Sequence, residues 1–258
     1  MGRRLGQHFL NRKSTLDRIA ESACGERTPL VIEIGAGRGA LTESLLERAD
    51  KVVAIELDPV LIHYLRQKFR DAFDAGRLIL VESDILKTDL SQWGPAVIAG
   101  NLPYYITSPI LERIFAASTS WKRAVILVQA EVAARIVAQP GCRDYGYLSV
   151  LVQAQARAER LFEVPRASFR PPPKVDSAVV GLEPIDAQID DLQSFLKFAG
   201  NCFRYKRKTL RNNLAGLYDR SAIESLIGPK DRAEALSIAQ LGQLFTALTI
   251  PRAVVYPT

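Results

Sequence analysis

Short runs of consecutive apolar residues recur through the first two thirds of the chain: Leu30–Ile34, Val52–Ile55, Leu78–Val81, Ala96–Ala99 and Val125–Val128. Each has strand length, and an unbroken Val/Ile/Leu run is what a strand covered on both faces requires. Between them lie stretches with helical spacing, Ala40–Ala49, Pro59–Phe69 and Ser108–Ala117. This alternation predicts an α/β fold, a parallel sheet with helices on both faces. A further helix opens at Glu131, where a negative charge suits the positive end of the helix dipole. Beyond it the pattern changes. Tyr147–Gln155 reads as a helix, and Arg157–Glu163 and Val175–Leu182 read as strands on either side of Phe169-Arg170-Pro171-Pro172-Pro173-Lys174. From about Pro184 onward the spacing is helical. Ser221–Glu224 and Ser237–Gln240 each fit a capping box, and Gly228-Pro229 interrupts the helices between them. These features predict an α/β domain over 1–184 and a small all-helical domain over 185–258.

Composition adds class limits. The 258 residues are 48% hydrophobic and 24% charged, enough for a packed core and against disorder. A formal charge of +6 favours an acidic partner such as nucleic acid or an anionic surface. Cys24, Cys142 and Cys202 lie far apart, and His8 and His63 are the two histidines, so no metal site is expected. Sparse cysteine suits a reducing compartment, and no apolar run is long enough to span a bilayer. The expectation is a soluble, cytoplasmic protein with no membrane role, acting as a monomer.

The first candidate chemistry is Glu33-Ile34-Gly35-Ala36-Gly37-Arg38-Gly39, which follows the first apolar run and opens a helix. Glycines there let the backbone turn tightly and approach a ligand, with Gly35 and Gly37 as the contact positions. Glu56, about twenty residues on, ends the second run, where a carboxylate can accept hydrogen bonds from ribose hydroxyls. Asp84 follows the third run and is placed to meet the adenine end of the same ligand. The loop alone fits nicotinamide, flavin or S-adenosylmethionine equally well.

The fourth run leads directly into Asn101-Leu102-Pro103-Tyr104. The adenine N6 amine is a poor nucleophile, because its lone pair is delocalised into the ring. It needs acceptors for both N–H groups rather than a strong base. The Asn101 side-chain oxygen and a backbone carbonyl at Leu102 or Pro103 supply such acceptors, with proline fixing the backbone. The Tyr104 ring can stack on the base. Catalysis would then rest on positioning and electrostatics. A nicotinamide oxidoreductase would have no use for this motif.

With these residues the chain resembles the bacterial small-subunit ribosomal RNA adenine dimethyltransferases, the kasugamycin-sensitivity family. The likeness runs through Gly6-Gln7-His8-Phe9-Leu10, Glu33–Gly37, Asn101–Ile106, Phe169–Ser177 and Arg207-Lys208-Thr209-Leu210, in that order. It implies a Rossmann-like methyltransferase domain with a small helical C-terminal domain. It implies S-adenosyl-L-methionine as cofactor, and dimethylation of two adjacent adenosines in the 3′ hairpin of 16S rRNA in an immature small ribosomal subunit. By the same resemblance His8, Leu10, Gly35, Glu56, Asp84 and Asn101 contribute to the cofactor site. Phe169 is expected to cover the adenine face opposite Tyr104. Many members carry asparagine where this chain has His8.

A basic run with interleaved aromatics, Phe203 to Arg211, holds Arg204, Lys206, Arg207, Lys208 and Arg211. It is expected to contact RNA phosphates and bases, with Arg3, Arg4, Arg12 and Lys13 as a second strip. An ordinary solvated helix face is the plainer reading of the same run. Two functional alternatives share the methyltransferase half: a 23S rRNA adenine methyltransferase of the macrolide-resistance type, and a ribosome-assembly factor with vestigial methylation.

Overall fold

The computed structural model describes residues 8–117, 120–186 and 189–249; Arg3, Arg4, Gly6 and Gln7 therefore lie outside the described residues. The chain divides into two compact units. One comprises 8–134 and Ala156–Ile185, the other Arg135–Gln155 and 186–249.

The first unit is built on a seven-stranded sheet. Its strands are β2 (Thr28–Ile34), β3 (Ala49–Glu56), β4 (Leu78–Glu82), β5 (Ala96–Asn101), β6 (Trp121–Gln129), β7 (Ala156–Val164) and β9 (Ser177–Pro184). Their order is β4-β3-β2-β5-β6-β9-β7. The five apolar runs all become strands, mutually parallel from β4 to β6. Beyond these five, β9 runs antiparallel to both β6 and β7. An apolar run fixes burial but not direction. Helices α1 (Lys13–Cys24), α2 (Ala40–Arg48) and α3 (Pro59–Lys68) cover one face, packing Leu16, Ile19, Leu41, Leu45 and Leu65 onto Val31, Val52, Ala54, Val97 and Ala99. The alternate residues Ile32, Ile34, Val53, Ile55 and Ile98 are equally buried, as strands covered on both faces require.

Local signals set the helix starts. Asp58 accepts from the Val60 N–H at 2.9 Å with Pro59 in the first turn of α3. Helix α5 (Thr107–Ala116) begins just after a 3-10 turn at Tyr104–Ile106 and buries Ile110, Leu111 and Ile114. A second, two-stranded sheet pairs β1 (Phe9–Leu10) with β8 (Phe169–Arg170), Phe9 opposite Arg170 and Leu10 opposite Phe169. It ties the amino-terminal motif to the proline-rich one.

The second unit contains α7 (Tyr147–Gln153), α8 (Leu192–Cys202), α9 (Leu210–Leu214), α10 (Arg220–Leu226) and α11 (Ile238–Thr249). Its core joins Tyr145, Val150 and Ala154 to Phe195, Phe198, Leu214, Ile223 and Leu241. The single boundary expected near residue 184 thus misassigns residues 135–155, whose apolar side chains fill the helical core. At Ser237 the capping box forms, with Ser237 Oγ accepting from Gln240 N at 3.2 Å and Gln240 Oε1 from Ser237 N at 2.9 Å. At α10 the cap is instead Asp219, accepting from Ala222 N at 2.9 Å, and Ser221 lies inside the helix.

Candidate active site

The carboxyl ends of β2, β3, β4 and β5 open into a cavity of ≈ 610 Å³ in the first unit. The sheet order reverses at β2, whose neighbours β3 and β5 lead away on opposite sides, so the cavity sits at the topological switch point. Its size falls within the roughly 300–1,000 Å³ of small-ligand sites.

The glycine loop forms the floor. Gly35 N and Ala36 N both donate to the Ile55 carbonyl, at 2.9 and 3.2 Å. This folds the loop back across β3. Gly35, Gly37 and Gly39 all have positive φ, a region costly to side chains with a Cβ. A Cβ on Gly37 would come within 3.2 Å of the Phe9 ring, and one on Gly39 within 2.4 Å of Phe69. Arg38, between them, lies over the Phe9 ring at 4.9 Å.

Glu56 ends β3, almost wholly buried. Its Oε2 accepts from Gly37 N at 2.8 Å, and its Oε1 from Leu57 N and Asp58 N at 2.9 and 3.0 Å. Two carboxylate oxygens offer about four acceptor sites, so three backbone donors leave room for a ligand hydroxyl. Asp84 follows β4 in a tight turn, its Oδ1 accepting from Leu86 N at 3.0 Å. It lines the cavity beside Ser83 and Ile85. Beneath the loop Glu33 is fully buried and accepts from Thr42 Oγ1 at 2.6 Å. Burial pushes its carboxyl up to about 7; the Thr42 bond opposes the rise and the Glu56 charge adds to it.

Asn101 ends β5, and its Nδ2 donates to the His8 carbonyl at 3.2 Å. A carbonyl can only accept, so the amide is oriented with Oδ1 left over as an acceptor. Leu102 N donates to the Leu127 carbonyl at 3.0 Å, holding the segment against β6. The Pro103 carbonyl takes Ile106 N at 3.2 Å and Thr107 Oγ1 at 3.4 Å. Of the two carbonyls expected to face the amine, that leaves Leu102. The half-buried Tyr104 hydroxyl meets Ser177 Oγ at 2.8 Å; burial raises its pKa and the Ser177 bond opposes that. The His8 ring stands near Tyr104 at 6.2 Å between centroids and 24° from parallel, with Nδ1 2.8 Å from the Pro171 carbonyl.

His8, Leu10, Gly35, Gly37, Glu56, Asp84, Asn101, Leu102, Pro103 and Tyr104 thus line one cavity. Phe169 does not. It is fully buried within the core that holds Leu10, Leu16, Val164 and Val179. Its place in β8 turns the ring inward, beside Leu10. Residues not singled out from the sequence also shape the cavity. Phe9 packs under the loop, Lys68 pairs with Glu43 at 3.2 Å, and Tyr105 is 67% exposed at the rim. Ser177 stood in a motif already noted, but its partner is visible only in the fold.

In the second unit most of the basic run lies between helices, with only Leu210 and Arg211 inside α9. Residues 203–208 connect α8 to α9, and Thr209 caps α9. Arg204, Lys206, Arg207 and Lys208 are exposed and Arg211 half-buried. Lys206 Nζ donates to the Arg143 carbonyl at 3.1 Å and Arg211 pairs with Glu224 at 3.5 Å. Of the amino-terminal strip, Lys13 is already paired with Asp17 at 2.6 Å and Glu47 at 3.3 Å.

The chain is similar to known proteins over nearly its whole length. The family model described as ribosomal RNA adenine dimethylase matches residues 2–249. The chain is 42% identical to the ribosomal RNA small subunit methyltransferase A of Synechococcus elongatus, over 96% of this chain and 95% of that one. It is 39% identical to the protein of the same name from Acidobacterium capsulatum, over 95% and 90%. Among solved structures, a dimethyladenosine transferase from Plasmodium falciparum superposes with a TM-score of 0.79 at 26% identity, covering 92% of this chain and 96% of the other. The 23S rRNA methyltransferase ErmE gives 0.71 at 29% identity, over 93% and 99%.

Proposed function

The chain belongs to the ribosomal RNA adenine dimethylase family, and on that premise we propose that it dimethylates N6 of two adjacent adenosines in the 3′ hairpin of 16S rRNA, with S-adenosylmethionine as methyl donor and an immature small ribosomal subunit as substrate. The observation that carries this reading is that Asn101, Leu102 and Tyr104 line the same cavity as the Gly35–Gly37 loop, Glu56 and Asp84.

The donor set suits such a cofactor. Glu56 retains acceptor capacity for ribose hydroxyls, Asp84 stands one strand further on for the adenine end, and the loop offers backbone where a Cβ at Gly37 would crowd Phe9. His8 and Leu10 would close the site from β1. When bound, the cofactor supplies an activated methyl on its sulfonium. The residues of the chain do the rest. Asn101 Oδ1 and the Leu102 carbonyl hold the two N–H groups of the amine, so that its lone pair is directed along the line of transfer. Tyr104 supports the base, its hydroxyl fixed by Ser177. Acceptors already held by the fold need not reorganise as positive charge develops on nitrogen.

The target must leave any stack to reach Asn101. Arg204, Lys206, Arg207, Lys208 and Arg211 would hold RNA phosphates, giving affinity that falls with salt. The small-subunit reading is favoured over the 23S one because relatives named for the small subunit reach 42% identity over nearly full length, against 29% for ErmE. The test is incubation with radiolabelled cofactor and undermodified small subunits, large subunits or free rRNA, followed by nucleoside analysis. N6-dimethyladenosine in small-subunit RNA is expected; label confined to large-subunit RNA would overturn the reading.

A further inference from the structure

We propose that Asn213 is a positioning residue for RNA binding: its buried side-chain amide holds the basic loop at 203–208 in the shape that receives RNA phosphates. This rests on the reading of that loop as an RNA contact. Arg204, Lys206, Arg207 and Lys208 put four positive charges within five consecutive residues, and like charges this close repel one another. Left to itself, such a loop spreads over many conformations, and that freedom must be given up on binding. Asn213 belongs to α9, which is fixed in the helical core by the fully buried Leu210 and Leu214 and by the bond from Leu210 N to the Asp231 carbonyl at 2.8 Å. Asn213 is 6% exposed. Its Nδ2 donates to the Cys202 carbonyl at 2.7 Å and to the Tyr205 carbonyl at 3.3 Å, and its Oδ1 accepts from Tyr205 N at 3.1 Å. Both amide protons are thereby used. Cys202 ends α8, where a carbonyl has no partner within its own helix. One side chain therefore caps α8 and grips both backbone groups of Tyr205. The Tyr205 carbonyl also takes Lys208 N at 2.9 Å, closing the turn that carries Lys206 and Arg207. The Arg204 guanidinium lies over the Tyr205 ring at 5.3 Å. The backbone of the turn is thus held from the core, while its four cations stay exposed.

Asn213→Ala and Asn213→Leu both remove the three bonds, and the leucine keeps the space filled. Affinity for undermodified small subunits is measured by filter binding, in the wild-type background and in one carrying Arg207→Ala and Lys208→Ala. Calorimetry gives the affinity for S-adenosylmethionine, and thermal melting is recorded for each variant. Positioning predicts subunit binding weaker by about tenfold, the cost of ordering one or two side chains on binding, with cofactor affinity unchanged. It also predicts that the same substitution costs about threefold or less once Arg207 and Lys208 are gone, because less charge is left to position. A role in stability alone would weaken binding equally in both backgrounds. That result, or wild-type affinity in both Asn213 variants, would overturn the inference. Should neither variant fold, hydrogen exchange in the wild-type protein decides. The Tyr205 amide is expected to be protected like that of Asn213, which donates to the Thr209 carbonyl at 3.0 Å; exchange at the rate of an open loop would overturn the inference. If alanine at Arg207 and Lys208 leaves subunit binding unaltered, the reading of the loop fails and the inference falls with it. A loss there with no coupling to Asn213 fails the inference alone.

Discussion

Asn101 and His8, 93 residues apart, are joined by a hydrogen bond of 3.2 Å from side-chain Nδ2 to backbone carbonyl. The bond ties the end of β5 to the entry of β1 and leaves Oδ1 as the acceptor end of the amide. Asn101→Ala removes both the acceptor and the tie. The expected result is a fall of about 10²–10³-fold in the single-turnover rate, by analogy with losing one preorganised electrostatic partner, with RNA affinity little changed. Comparable losses in rate and in RNA binding would sink the role assigned to Asn101.

Glu56→Gln tests the cofactor floor. The carboxylate receives three backbone N–H groups through both oxygens; an amide turns one of those oxygens into a donor facing donors. An unmet buried donor costs about 1–3 kcal/mol. Calorimetry with S-adenosylmethionine should show at least a tenfold weaker affinity, and unchanged affinity would remove Glu56 from the site.

Glu33 gives a pH prediction. An ordinary glutamate ionises near 4.5, whereas burial holds this one at about 7. Between those values the folded protein keeps a proton that the unfolded chain releases, so stability falls as pH rises from about 4.5 to 7 and then levels off. Glu33→Gln keeps an acceptor for Thr42 and removes the titration. Urea denaturation at pH 5 and pH 8 should show a decline in the wild type that is smaller in the variant, by on the order of 3 kcal/mol. Identical slopes would mean that Glu33 ionises normally.

Gly100→Ala probes the seam under the loop. A Cβ there would lie 2.6 Å from the Ile34 backbone oxygen, an atom of the paired strand that cannot swing aside. Overpacking of this kind costs roughly 1–3 kcal/mol. A lower unfolding midpoint should be accompanied by weaker cofactor binding, because Ile34 leads straight into Gly35. A fully wild-type midpoint would show that the two strands separate more easily than this packing allows.

Replacing Arg207 and Lys208 together by alanine should weaken RNA binding and make the plot of log affinity against log salt shallower by roughly 1–2. Filter binding at several salt concentrations measures both. An unaltered slope would place the phosphate contacts elsewhere.

The five sheet runs could be read from the chain because strands buried on both faces show it in every residue, as Val52–Ile55 do. The glycine loop, Glu56, Asp84 and Asn101 were legible for a related reason: each sits at a strand end, where topology rather than side-chain packing decides what converges. Pairings that no periodicity marks stayed hidden. Two-residue strands such as Phe9–Leu10 leave no repeat, so neither the β1–β8 ribbon nor the inward turn of Phe169 could be foreseen. The helical pattern of Tyr147–Gln155 was plain, but a pattern names a face and not the core that receives it. The Tyr104–Ser177 bond likewise depends on β9 lying beside β6, in a direction the apolar run does not encode.

The ribbon of β1 with β8 sets an order in time. His8 is bonded to Pro171 across 163 residues of chain. At ribosomal synthesis rates of about 5–20 residues per second, the first partner waits roughly ten to thirty seconds for the second. The glycine loop and Asn101 are made well before then and can already meet Phe9 and His8, yet β1 still lacks the strand it pairs with. A nascent chain therefore carries an unfinished pocket until its proline-rich segment has emerged, and becomes competent for its substrate only when its earliest and latest pocket segments meet.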